Sequence, residues 1–255
     1  MANNKAQIII IHQKLRTMKK LFLLMSLLFV VTLGAKAQMI NAEDLEKYCI
    51  TYLKLPEKPK DKDWMAAAQR LKDAEEVCID KNNGLAWSEI IPADGVSKEK
   101  LYVILNYWYT MTFNDAKAVI QLNDKEAGTI IGKGYVANIA EHTGGMNHYQ
   151  VNMQPIIKAD IKDGKARITY TIQAFPVYKV KGGGVLGVIS GAKAETEVQN
   201  WMISKCYPFV SAKDDDHERS SAKAICMTVG FSNYIMNKIK EAVQHGLSGN
   251  ENDDW

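Results

Sequence analysis

No apolar run in this 255-residue chain is long enough to cross a membrane. The main one, Leu21 to Leu33, would reach only about 20 Å as a helix, against a hydrocarbon core of ~30 Å. Cysteine is scarce. The four present (Cys49, Cys78, Cys206 and Cys226) form no CxxC and no Cys/His pair at zinc-ligand spacing, so a structural zinc site is not expected. Excess charge of one sign is lacking as well, with 32 Lys and Arg against 29 Asp and Glu. Catalytic signatures are missing in turn: there is no GxSxG, and no SDN or KTG to accompany an SxxK.

What is present begins at Met18. Lys19 and Lys20 precede the apolar stretch, and Ala35-Lys36-Ala37 closes it as an A-x-A site. This is the pattern of a secretory signal peptide. Residue 38 is Gln and not Cys, so no lipoprotein signature follows. The expectation is a leader over 1–37, a true start at Met18, and an exported, periplasmic or envelope-associated protein. Loss of Lys5, Lys14, Arg16, Lys19, Lys20 and Lys36 would leave 26 basic residues against 29 acidic ones, turning the formal charge from +3 to −3. Such a chain has no electrostatic reason to seek nucleic acid. Export permits disulfides among the four cysteines, in any of three pairings; buried thiols on helix faces are the other reading.

The remaining chain divides by pattern. Asn41 can cap a helix carrying Leu45, Cys49 and Tyr52, and Asp63 a second from Trp64 to about Cys78, giving a helical pair over 38–84. Leu85 to Ile91 reads as a strand, and Ser97 caps a helix with Leu101, Ile104, Leu105, Trp108 and Met111 at helical spacing. Four strands follow as a meander. They start with AVIQL at 118–122 and end in a hairpin turned by Asp163-Gly164, whose second strand alternates Ile168, Tyr170 and Ile172 with Thr169, Thr171 and Gln173. KGGGVLGVISG reads as a flexible Gly-rich loop within 181–195. Over 196–255 the expectation is two helices, Thr196 to about Cys206 and about Glu218 to Gln244, with a polar tail. The order β-α-β-β-β-β-α behind a helical pair is α+β, an antiparallel sheet with helices on one face.

The stretch VSKEKLYVILNYWYTMTFNDAKAVIQLNDKEAGTIIGKGYV, with ITYTIQAFPVYK beyond it, resembles a family of exported proteins of unknown function from gut Gram-negative bacteria. That family is described as having a TATA-binding-protein-like (TBP-like) fold. The resemblance covers about residues 85–180, and DKEAGTIIGKGYV is its most specific part. It implies a fold and no activity, and DNA binding does not come with the fold.

Four motifs offer chemistry. GTIIGKG at 128–134 imitates a phosphate loop, but its spacing is one residue short, and Gly134 replaces the hydroxyl that would reach magnesium. A strand continues where a helix should begin, so the glycines are read as structural, and neither nucleotide nor other cofactor is expected. Glu141, His142 and His148 bracket a hairpin end; converging, they would make a periplasmic hydrolase the alternative reading. Asp214 to Glu218 reads as a solvated helix start. Ser97, Ser190 and Ser220 each open an SxxK by chance repetition. The preferred reading is non-enzymatic: an exported binding or assembly module. Its surface would be an uncharged sheet face of Gln150, Asn152, Thr169, Thr171 and Gln173, and its partner a protein, peptide or glycan.

Overall fold

The computed structural model describes residues 40–113, 119–207 and 218–246. The expected leader, its cleavage site, Asn114-Asp115, Asp214 to His217 and the polar tail lie outside the described residues.

The chain opens with the expected helical pair. In α1 (Ala42–Tyr52) the Asn41 side chain accepts the Asp44 amide, and Leu45 and Cys49 form the buried stripe. Helix α2 (Asp61–Asp73) begins two residues before the expected cap: Asp63 sits one turn inside and its carboxylate accepts the Lys60 amide at 2.8 Å. It also stops well short of Cys78. Glu75 takes a left-handed turn at φ +56, and Ile79 then pairs with Leu85 as an isolated bridge.

The sheet elements are β1 (Leu85–Pro92), β2 (Ile120–Asp124), β3 (Thr129–Lys133), β4 (Val136–Thr143), β5 (Asn147–Met153), β6 (Ile156–Lys162), β7 (Lys165–Ile172), β8 (Ala174–Lys181) and β9 (Glu195–Met202). Helix α3 (Lys98–Thr112), capped by Ser97, lies between β1 and β2. All pairings are antiparallel and make two sheets, ordered β1-β7-β6-β3-β2 and β4-β5-β8-β9. The lateral order β3-β6-β7 of the first repeats as β4-β5-β8 in the second. Three long strands therefore run through both sheets, interrupted at Gly134-Tyr135, Gln154-Pro155 and Gln173. These interruptions line up: the Gly134 amide donates to the Pro155 carbonyl at 2.8 Å. The four expected strands of the meander are thus β2, β3–β4, β5–β6 and β7–β8, and the crease that splits them is what periodicity did not show.

Two further expectations are corrected. The Gly-rich loop contains a short helix, α4 (Val185–Ser190), ended by Gly191 at φ +71. The helix expected from Thr196 is instead β9, with only one helical turn, α5 (Ile203–Cys206), after it. Thr196 and Val198 are β-branched, and β8 offers them a complete ladder, which outweighs the helical spacing.

Helix α6 (Glu218–His245) is about 42 Å long at 1.5 Å per residue and supplies the core stripe Ala222, Cys226, Val229, Met236, Ile239 and Val243. Its Phe231 ring packs 5.9 Å from Tyr170 on β7. The N-terminal pair lies against α6, tied by Tyr48 to Asn233 at 2.6 Å and by Lys223 to Glu46 at 3.0 Å. Tyr109 of α3 reaches across the five-stranded sheet to donate to the Ile157 carbonyl at 2.9 Å. Both helices thus bear on the sheet face formed by Ile130, Ile157, Ala159, Ile168 and Tyr170, which is fully buried.

Candidate functional site

With α3 and α6 on the inner face, the outer face of the five-stranded sheet is built by alternation alone. Register places four rows across it: Lys162–Lys165–Pro92, Thr129–Asp160–Arg167–Ile90, Ile131–Lys158–Thr169–Ser88, and Lys133–Ile156–Thr171–Ala86. At its centre Asp160 binds Arg167 at 2.9 Å, Lys158 at 2.9 Å and the Thr129 hydroxyl at 3.2 Å. Partial burial alone would push this carboxyl up; the hydrogen bonds from Lys158 and Arg167 overcome that and hold it below its ordinary value. Beside it the Ser88 and Thr169 hydroxyls meet at 3.2 Å. The face is polar, yet it is not the uncharged one expected, because Lys158, Asp160 and Arg167 occupy it.

The five residues expected to form one face fall on two sheets. Thr169 and Thr171 lie on the outer face just described. Gln150 belongs to β5, in the other sheet. Gln173 lies at the crease and donates to Asp80 at 3.3 Å. Asn152 is fully buried: its oxygen accepts the Asn138 amide at 2.9 Å, and its NH₂ donates to the Gln150 and Pro176 carbonyls at 3.3 and 3.1 Å. Asn138 stands at φ +54 in a bulged part of β4, so Asn152 supplies the ladder contact that the bulge leaves open. An alternating strand gives no sign of this, because the bulge sits on a neighbour distant in sequence.

Glu141, His142 and His148 do not converge. Thr143 pairs with His148 and His142 with Tyr149, so the two imidazoles project from opposite faces of one hairpin. The Thr143 hydroxyl is bonded to His148 Nδ1 at 2.9 Å, Glu141 takes the Asn138 side chain at 3.3 Å, and His142 tilts against the Tyr149 ring. Among the described residues no group of three His, Cys, Asp or Glu side chains is placed to hold a metal ion.

The glycines of GTIIGKG have structural uses. Gly128, at φ +68, turns the chain into β3, and its carbonyl accepts the Ile161 amide at 2.7 Å. A Cβ at Gly132 would lie 2.6 Å from the Tyr109 ring, and Gly134 forms the crease. The amides from Thr129 to Lys133 belong to a strand paired on both sides and cannot turn together around a phosphate. The SxxK serines are likewise engaged or enclosed: Ser97 caps α3, Ser190 donates to the Gly187 carbonyl at 3.0 Å, and Ser220 is buried.

All four cysteines are free thiols. Cys49, Cys206 and Cys226 are buried, and burial raises their pKa values, Cys206 to about 11 and Cys226 to about 12. Cys78 is exposed, on the rim of a shallow groove that Trp87 of β1 and Met236 of α6 also line.

Residues 87–174 match the family model described as "Domain of unknown function (DUF4468) with TBP-like fold". Over that segment, about a third of the chain, the protein is similar to a TBP-like domain of unknown function. The match falls within β1 to the start of β8, and so includes α3, the crease and the outer face of the five-stranded sheet. A solved DUF4468 family protein from Bacteroides ovatus is similar at 18% identity and TM-score 0.44, covering 76% of this chain and 99% of its own. A solved TBP-like protein from Parabacteroides distasonis is similar at 11% identity and TM-score 0.41, covering 66% of this chain and 97% of its own. No curated protein matches the chain.

Proposed function

We propose that this TBP-like protein is a non-enzymatic binding module of the cell envelope, using the outer face of its five-stranded sheet to hold a partner protein. One observation carries the reading: α3 and α6 bear on the opposite side of that sheet, leaving four ordered cross-strand rows open. The face mixes an ion-pair cluster with aliphatic side chains at Ile90, Ile131 and Ile156. No aromatic ring stands on its rows, and a glycan site would want one to stack a sugar on. A protein surface that answers Arg167 and Lys158 with acids and the isoleucines with apolar groups fits better. Export rests on the leader pattern in the sequence, and the separation of His142 from His148 removes the support for a hydrolase.

Two measurements test this reading. The native protein should begin at Gln38 by intact mass; a retained leader or a lipid adduct overturns the exported, non-lipidated form. Co-purification after crosslinking in the native envelope should yield partners that a Thr169→Lys/Thr171→Lys double variant fails to retain. If the folded double variant keeps every partner, the face is only solvated.

A further inference from the structure

Among the described residues the two sheets end on β1, β2, β4 and β9. An open strand edge is a row of unpaired amides and carbonyls that invites another strand, and proteins commonly blunt such edges. Three of these edges are blunted. β1 runs out on Pro92, β2 is five residues long and slips register between Ile120 and Leu122, and β4 is bulged around Asn138. β9 carries no such device. Its eight residues pair without a break from Lys181↔Glu195 to Ala174↔Met202, and it holds no Pro, Lys or Arg.

The side chains on one of its faces are open as well, with Val198 65% and Met202 44% exposed, while Trp201 on the other is buried. Just past the strand the Ile203 amide donates to the Gln173 carbonyl. Since successive residues of a strand turn their backbone groups to alternate sides, the odd-numbered residues of β9 face β8. Thr196, Val198, Asn200 and Met202 then turn theirs to the open edge.

We propose that β9 of a second copy of this chain adds antiparallel to this edge, joining two four-stranded sheets into one of eight strands. The charge pattern selects that occupant and direction. Both acids, Glu195 and Glu197, lie in the first half of β9, and the second half is uncharged. A parallel copy would stack acid on acid, which costs stability. An antiparallel copy centred on Val198 sets Glu197 against the partner's Gln199 and Glu195 against the partner's Trp201, with Thr196 opposite the partner's Asn200. One strand edge buries less than the 1,200–2,000 Å² or so of a standard stable interface. The dimer is therefore weak and concentration-dependent. It uses the sheet opposite the one assigned above to a partner protein, so either reading can fail alone.

Sedimentation velocity of the full chain over a concentration series tests it. Val198→Pro removes an amide that faces outward and leaves the β8 ladder its bonds; Val198→Lys puts a charge on the edge with the backbone unchanged. The expected result is a reversible monomer–dimer shift for the parent chain and at least a tenfold weaker dimer in both variants, with unchanged circular dichroism. Should the proline variant not fold, the lysine variant carries the comparison. A parent chain that stays monomeric to about millimolar concentration, as it would if another segment or protein took the edge, overturns the proposal. So does a dimer that persists in both variants.

Discussion

At the scale of single residues, strand alternation and buried hydrogen bonding make separate demands, and Asn152 is where they part. Thr171 points outward from the five-stranded sheet, so Thr171→Lys should change stability by no more than about 0.5 kcal/mol. Tyr170, its neighbour, is fully buried between Phe231 and Trp87, and Tyr170→Ala should cost about 3–5 kcal/mol. Asn152 occupies an outward position by alternation, yet it is fully buried, and Asn152→Leu should destabilise by about 1–3 kcal/mol, because it removes the acceptor of the Asn138 amide and the donor to the Gln150 and Pro176 carbonyls. Urea denaturation of the three variants checks the ranking; a neutral Asn152→Leu would show that the bulge does not depend on it. The thiols offer a second check. In the native protein Cys78 should react rapidly with a thiol reagent while Cys49, Cys206 and Cys226 stay protected by burial, and unfolding should bring the total to four. A total below four in the unfolded, unreduced protein would mean that disulfides form in the cell.

At the scale of elements, the glycines divide by mechanism. Gly164 sits at φ +72 in the Asp163-Gly164 turn with open space around it, so Gly164→Ala pays only a backbone penalty of about 1 kcal/mol. Gly132 has ordinary backbone angles but lies under the Tyr109 ring. There an added methyl must displace a side chain held by its bond to Ile157, at about 1–3 kcal/mol. A Tyr109→Leu background should reduce the Gly132→Ala penalty and leave that of Gly164→Ala unchanged, which a double-mutant cycle reads directly. Equal penalties in both backgrounds would mean that α3 does not press on β3 as described.

At the scale of the whole molecule, acid should find the outer face of the five-stranded sheet early. Asp160 has a folded-state pKa below its unfolded one, so its contribution is fully present above the ordinary carboxylate value near 4 and is lost as pH falls through the lowered value. Stability should therefore drop from about pH 4 downward, and Asp160→Asn should flatten that limb while lowering stability at neutral pH. Denaturation midpoints at pH 7, 4 and 3 decide it. An unchanged acid limb in the variant would assign the acid sensitivity to other carboxylates.

Local chemistry was readable in the sequence wherever a residue's neighbours in the chain are also its neighbours in space. Asn41 and Ser97 as caps, Asp163-Gly164 as a hairpin turn, the stripe of α6 and, apart from the exposed Met111, that of α3 depend on contacts within a few residues. The α+β class and the lack of a phosphate-loop hydroxyl followed from the same text. The tertiary structure alone decided what depends on pairing across the chain. Gly134, Pro155 and Gln173 lie far apart in sequence, so their alignment into one crease cannot be seen from any of them. The same holds for β9, whose residues became a strand because β8 lay beside them, and for Asn152, buried by a bulge in β4. The candidate surface shows the division best: alternation put Thr169 and Thr171 on an outward face, but only register brought Lys158, Asp160, Arg167 and Ser88 beside them.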